Sequence, residues 1–373
     1  MKSPLYEEHR RLGARMIDFA GWEMPLAYPS RGGVVAEHRA ARERLGIFDV
    51  SHLGKIVVEG PGAAAILEGL LPGPVSLLAP WSAGYNLLLN ERAGIVDDLF
   101  VYHRPDYLVV VPNAANTPAV LGAIRQSAGG EARVTDAGER WAILAVQGPR
   151  SRELAEALMP AANRLPLHAF ADLELVGTPI QVARTGYTGE YGFELFAPWN
   201  GAETIWRRLL EMGEPLGGMP AGLGARDTLR LEMGYPLHGH EISPETNPLE
   251  AGLAWVIDWE KPRFRGKARL ERIKEAGVSR RLTGLVAEEP GIPRRGHAIL
   301  SRGTVVGEVT SGNFSPVLGR GIALGYVPPD LASPGTMLAV DVRGRALAVR
   351  VTKPPFIRPS IRPSPGRVSA GSR

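Results

Sequence analysis

The 373-residue chain contains no cysteine. That absence excludes disulfides, a catalytic thiolate and any cysteine-ligated zinc or iron–sulfur centre. There is no GxxxxGKS/T phosphate loop, and no GxGxxG follows a strand-like run, so nucleotide binding of those two kinds is excluded as well. Long apolar runs are missing. Stretches such as Leu108 to Val111 fall far short of the roughly 20 residues of a membrane span. The N-terminal stretch MKSPLYEEHRRLGARMIDFAGW has no apolar core of signal-peptide length, which predicts a cytoplasmic protein without a membrane partner.

Charge of one sign is also scarce once it is located. Lys plus Arg is 43 against 39 for Asp plus Glu, and the last sixteen residues, Arg358 to Arg373, carry four arginines and no acid. The remainder is balanced. The excess sits in this Pro/Ser/Gly-rich stretch from Arg358 onward, of which 359–373 is read as a disordered basic tail. Four spread arginines without aromatics do not describe a nucleic-acid surface.

What is present is a large apolar fraction, 44%, with 45 glycines and 32 prolines. The length asks for two or three domains, since one domain usually holds roughly 100–200 residues. The glycines and prolines predict short elements and many turns. Helices are expected at Glu37–Leu45, Gly62–Leu71, Ala119–Ile124, Arg150–Met159 and Ala202–Met212. Strands are expected at Ile56–Val58, Tyr85–Leu89, Leu99–Tyr102, Tyr107–Val111, Ala142–Val146, Leu173–Val176, Ile180–Ala183 and Phe193–Phe196. That is α+β order. After about residue 280 the pattern becomes all-β, with strands at Leu282–Val286, Ala298–Leu300, Val305–Val309, Ile322–Val327, Met337–Val342 and Leu347–Val351, a small barrel or sandwich. The polar stretch Glu271–Arg281 marks the boundary.

Three segments carry candidate chemistry. In Gly94-Ile-Val-Asp-Asp-Leu-Phe-Val-Tyr102, neighbouring residues of an extended chain point to opposite faces. One of Asp97 and Asp98 therefore faces an interior cavity, where a desolvated carboxylate stabilises a cation or accepts a proton. A turn with two solvated acids is the plainer alternative. In Arg184-Thr-Gly-Tyr-Thr-Gly-Glu-Tyr-Gly-Phe-Glu194, glycine at every third position permits close approach to a flat ligand. Glu194 shares a strand face with Gly192 and Phe196, where it can receive paired N–H donors from a planar heterocycle; a hairpin with an exposed acid is the alternative. In Gly222-Leu-Gly-Ala-Arg-Asp-Thr-Leu-Arg230, Arg226 lies in the first turn of a helix, against the macrodipole preference. An anionic ligand explains that place, and pairing of Asp227 with Arg230 is a structural alternative. His238-Gly-His-Glu241 lacks helical metal-ligand spacing and is read as a turn, with no metal expected.

Taken in this order, the segments resemble the T-protein (aminomethyltransferase) family of the glycine cleavage system. The resemblance runs from about Leu5 to Arg358. It is carried by PLYEEHRRLGARMIDFAGWEMPLAY, GIFDVSHLGK, YNLLLNERAGIVDDLFVY, RTGYTGEYGFEL, GLGARDTLRLEMGYPLHGHE, NPLEAGLAW, FRGKARL, TSGNFSPVLGRGIALGYV and VTKPPFIR. It implies an α+β fold of three subdomains around a central folate channel. Two are interleaved α+β subdomains within 1–275, one about 1–50 with 139–227 and the other about 51–138 with 228–275; a β-barrel domain spans 280–358. It implies transfer of the methylene carbon of an aminomethyl group on lipoylated H-protein to tetrahydrofolate, giving 5,10-methylenetetrahydrofolate, ammonia and dihydrolipoyl H-protein. By the resemblance Asp97 is the catalytic acid, Glu194 binds the pterin and Arg226 serves the p-aminobenzoyl-glutamate side. Asn113, Tyr85 and Tyr187 line the channel, and Arg358 is a further contact. A monomer or weak dimer is expected. The sequence departs from the family pattern at His238, where tyrosine is usual, and at Leu53, where methionine is usual. A folate-dependent demethylase or a non-catalytic folate-binding protein are the alternatives within the superfamily; the latter carries a Lys-Gly-Cys segment that this chain lacks.

Overall fold

The computed structural model describes residues 1–360. Residues 361–373, which hold most of the expected basic tail, lie outside the described residues. Three β-systems organise the rest. A six-stranded sheet runs in the order Phe170–Leu175, Thr178–Ala183, Gly192–Pro198, Trp141–Gln147, Leu45–Asp49, Gly218–Ala221. A five-stranded sheet runs Ser82–Leu89, Ile95–His103, Tyr107–Pro112, Ile56–Glu59, Arg133–Asp136. The C-terminal module is a closed six-stranded barrel built from Arg281–Ala287, Ala298–Ser301, Thr304–Ser315, Arg320–Val327, Met337–Val342 and Arg345–Thr352. Closure removes sheet edges, which decides barrel over sandwich.

The sequence alternation sets which side of each sheet is covered by helices. Tyr191, Phe193 and Leu195 point into a core filled by Trp206 and Leu209 of the helix Ala202–Gly213 and by Leu154 and Ala155 of Ser151–Leu158. On the second sheet Leu99 and Val101 pack on Leu67 of Ala63–Leu70 and on Val120 and Ile124 of Thr117–Ala128. The opposite faces of both sheets turn toward each other. There Phe48, Tyr102, Phe170 and Phe196 meet Ala225 and Leu229 of the helix Leu223–Met233, with Phe100 against them. Each such aromatic buries roughly 150–250 Å², enough to fix the spacing of two sheets.

Several elements differ from expectation. The helix expected at Glu37–Leu45 is Gly33–Glu43, and Leu45 instead begins the strand Leu45–Asp49, a fully buried run that periodicity alone does not distinguish from a helix. The hairpin Arg15–Phe19/Trp22–Ala27 and the short strands Arg133–Asp136 and Gly218–Ala221 were not anticipated. The expected boundary at Glu271–Arg281 begins inside the helix Lys267–Ala276. The expected subdomain break at 227/228 falls inside the helix Leu223–Met233, whose residues pack on the first sheet and, through Leu231, on the barrel. Pro359 and Ser360, assigned to the tail, are described, and Ser360 is bonded to the body: its N–H donates to the Gly189 carbonyl at 2.9 Å.

Candidate active site

The strand Ile95–His103 turns its two acids apart, as alternation requires. Asp97 shares a face with Leu99 and Val101, the helix side, and is 0% exposed. Asp98 shares the face of Phe100 and Tyr102, toward the space between the sheets, and is half-buried. The Tyr85 hydroxyl donates to Asp98 Oδ2 at 3.1 Å. Asn113 stands one residue past the strand Tyr107–Pro112, at the edge of Ile95–His103, and its side chain reaches both acids. Asn113 Nδ2 donates to Asp97 Oδ1 and to Asp98 Oδ1, each at 2.8 Å. The Asn113 backbone N–H donates to Asp97 Oδ2 at 3.0 Å, and Asn116 Nδ2 donates to Asp97 Oδ1 at 2.6 Å. Burial and mutual repulsion push the pair above the usual carboxylate range, so that together the two acids favour holding a proton, while the asparagine donors on Asp97 pull the other way.

Glu194 projects from the strand Gly192–Pro198 on the face of Phe196, toward the space between the sheets, and accepts a hydrogen bond from the Thr185 hydroxyl, which lies 3.4 Å from the Tyr102 hydroxyl. The glycines of this segment do not open space for a ligand, as the sequence reading expected. A Cβ on Gly186 or Gly192 would strike the Gln147 side chain, and one on Gly189 would strike Met233. They let the loop close on its own neighbours instead.

Arg226 sits over the Tyr187 ring, 4.8 Å from its centroid, and forms no ion pair with any described residue. Burial lowers its pKa, which Glu194 and Tyr187 oppose. Buried Glu37 offsets its awkward place at a helix start by accepting the Gly222 N–H at 2.9 Å, putting a carboxylate at the helix N-terminus. Arg230 is the structural partner, bonded to Asp227, Glu241 and Ser311. Tyr187 stacks on Tyr235, with centroids 5.6 Å apart, and donates its hydroxyl hydrogen to the Pro236 carbonyl. His52 lies near Arg226 and is 5% exposed with its Nδ1 unpartnered; burial first, then the Arg226 charge, hold its pKa down at about 3, so it is neutral.

Tyr85 stacks on Trp255, 5.6 Å between centroids, and Trp255 is 70% exposed, so an indole stands at the outer end of a Trp255–Tyr85–Asp98 line. His238 contacts the Ile95 carbonyl at 3.3 Å, and a charge on it would lower Asp98. The turn His238–Glu241 commits its other groups elsewhere, His240 to Ser311 and Glu241 to Arg230. The structure therefore gathers Asp98, Asn113, Tyr85, Tyr187, Glu194 and Arg226 around the inter-sheet space. Asp97 lies behind it. Arg358 is exposed and makes no hydrogen bond or ion pair with a described residue. Sequence reading missed Asn116, Thr185, His52 and Trp255 because their roles depend on which distant element each one meets.

The chain matches two family descriptions in sequence, the GCVT N-terminal domain over residues 5–261 and the glycine cleavage T-protein C-terminal barrel domain over 280–357. It is 46% identical to an aminomethyltransferase of Mycobacterium avium over 360 residues, which covers 96% of this chain and 97% of the relative. With an aminomethyltransferase of Halothermothrix orenii it shares 43% over 359 residues, 95% of this chain and 99% of that one. The crystal structure of the glycine cleavage system aminomethyltransferase T from Bartonella henselae superposes with a TM-score of 0.90 at 36% identity, covering 96% of this chain and 98% of that one. Nearly full-length identity of this order, on the same three β-systems, shows that the chain belongs to the aminomethyltransferase family, the T-proteins of the glycine cleavage system.

Proposed function

We propose that in the aminomethyl transfer of this family Asp98 is the acid at the reacting carbon. The observation that supports this is its placement: a half-buried carboxylate on the chamber face, held by Tyr85 and Asn113 among aromatic walls. The resemblance assigned that role to Asp97, whose carboxylate is turned to the helix layer and satisfied there by three N–H groups.

The donor set fits a folate. The Glu194 carboxylate, steadied by Thr185, suits the paired N–H groups of a pterin. Among the described residues the Arg226 guanidinium pairs with no carboxylate, and a half-buried fork of this kind suits a ligand carboxylate. Tetrahydrofolate supplies two N–H groups, N5 and N10, which exchange their hydrogens for one methylene bridge. The two hydrogens leave on ammonia and on the lipoyl thiol of H-protein, so no oxidant is needed. Positive charge develops at the one-carbon unit as the amine departs. Asp98, oriented before the reaction, faces that charge as a carboxylate in a water-poor setting, where such stabilisation is strong. Tyr85 and Asn113 keep the carboxylate from turning away.

The test is turnover of aminomethylated H-protein with tetrahydrofolate. Asp98→Asn is expected to lower kcat by about 10²–10³, the usual effect of losing one electrostatic stabiliser, while folate still binds. Wild-type turnover by that variant would sink the assignment. Dimethylglycine and methyl-sulfur donors, run beside it, distinguish the demethylase reading.

A further inference from the structure

We propose that Asp97 is a positioning residue for this reaction: a fixed negative charge, pinned by the turn that leads into the helix Thr117–Ala128, that keeps an exchangeable proton on Asp98. The inference rests on the assignment of Asp98 as the chamber acid.

Every polar neighbour of the Asp97 carboxylate is an N–H donor. Oδ1 accepts from Asn113 Nδ2 at 2.8 Å and Asn116 Nδ2 at 2.6 Å, and Oδ2 accepts from the Asn113 backbone at 3.0 Å. The Asn113 amide cannot be reversed without loss, because its Nδ2 also donates to the Asp98 carbonyl at 3.1 Å and to Asp98 Oδ1. A proton on Asp97 would therefore compete with a pinned Asn113 donor at either oxygen, the side-chain amide at Oδ1 and the backbone N–H at Oδ2. The same carboxylate stands at the start of a 12-residue helix, where the macrodipole favours negative charge. Asp98 differs. Its Oδ2 faces the Tyr85 hydroxyl, which accepts as readily as it donates. Two carboxylates sharing one amide hold a proton between them more readily than either alone. Geometry sends that proton to the outer member.

The remaining titratable groups facing the pair are Tyr85, Tyr187 and His238, all on the Asp98 side. Among the described residues neither acid forms an ion pair with lysine or arginine. The balance of the cycle then closes at one atom. Asp98 hands its proton to the departing amine, making ammonia. As a carboxylate it faces the positive charge at the carbon. It regains a proton from the second folate nitrogen as the methylene bridge closes, and the other folate hydrogen goes to the lipoyl sulfur.

The experiment is a kcat-against-pH profile of full-length Asp97→Asn with aminomethylated H-protein and tetrahydrofolate. Removing the like charge lets Asp98 ionise at lower pH, so the alkaline limb should move down by about one pH unit, with folate affinity changed less than about twofold. An alkaline limb fixed at the wild-type position, whether activity falls uniformly or does not fall at all, overturns the inference. If Asp97→Asn does not fold, the carboxylic-acid infrared band decides instead. That band should be present in the wild type at neutral pH and absent in Asp98→Asn, and a band that survives in Asp98→Asn would put the proton on Asp97. A dead Asp98→Asn with an unshifted Asp97→Asn limb rejects only this inference; an active Asp98→Asn rejects the assignment beneath it.

Discussion

Asp97 and Asp98 differ by one position in sequence and by a full change of environment in space. Both letters were legible as candidates, because alternation in a strand predicts that they face apart. Which of them faces the space between the sheets was not legible, since both faces of Ile95–His103 are covered, one by helices and one by the other sheet. Arg226 was legible as an oddity, a cation in a first helical turn, and among the described residues it has no ion pair. Arg226→Gln is expected to weaken folate binding by about 1.5–3 kcal/mol, roughly tenfold to a hundredfold in Kd, the loss of a hydrogen bond to a charged group. Arg226→Lys should recover little of it, because a point charge does not replace a planar fork. Equilibrium titration with tetrahydrofolate measures both.

The segment Thr185–Tyr191 shows how an element can be read correctly in place and wrongly in cause. Its glycine spacing suggested an opening for a ligand, yet those glycines admit Gln147 and Met233. Gly189 has φ +77° and a Cβ there would lie 2.0 Å from Met233 Sδ. Gly189→Ala combines left-handed strain with a steric clash and should cost about 1–3 kcal/mol, seen as a Tm lower by several degrees. Weaker folate binding should follow, because the same loop carries Tyr187 and leads into the strand of Glu194. An unchanged Tm would show that the loop relaxes freely. Strands flanked by glycine and proline were readable element by element; Leu45–Asp49 was not, since a short wholly buried run has no period to report.

Across the whole molecule a buried ion pair of the body is tied to the barrel by two hydroxyls, those of Thr310 and Ser311. Arg230 and Glu241 lie 2.8 Å apart with side chains 1% and 0% exposed, and Arg230 Nη2 donates to the Ser311 hydroxyl of the barrel at 2.7 Å. Burial raises the Glu241 carboxyl, but Arg230 and the hydroxyls of Ser311 and Thr310 outweigh it, so its folded pKa lies below the ordinary value. A depressed carboxyl contributes stability that is complete above its unfolded pKa, about 4.3, and is lost as pH falls through the folded value. Acid unfolding is thus expected to begin at this junction, below about pH 4. Glu241→Gln should destabilise by about 3–5 kcal/mol by leaving a buried guanidinium without its counter-charge. It should also flatten the acid limb of Tm against pH. Calorimetry across pH 3–7 would reject this if the variant and the wild type lose stability in parallel.

By itself the sequence determined the α+β body, the six barrel strands, the resemblance to the family and the residue types of the site, because those depend on local periodicity, turn chemistry and motif order. The tertiary structure alone decided that the barrel closes and that Asp98 rather than Asp97 turns toward the other sheet. It also decided that Arg226 has no ion pair among the described residues, while Arg230 is spent on the domain junction. Each of these turns on which distant element covers a given face, and a covering face leaves no mark in the sequence of the strand or helix it covers.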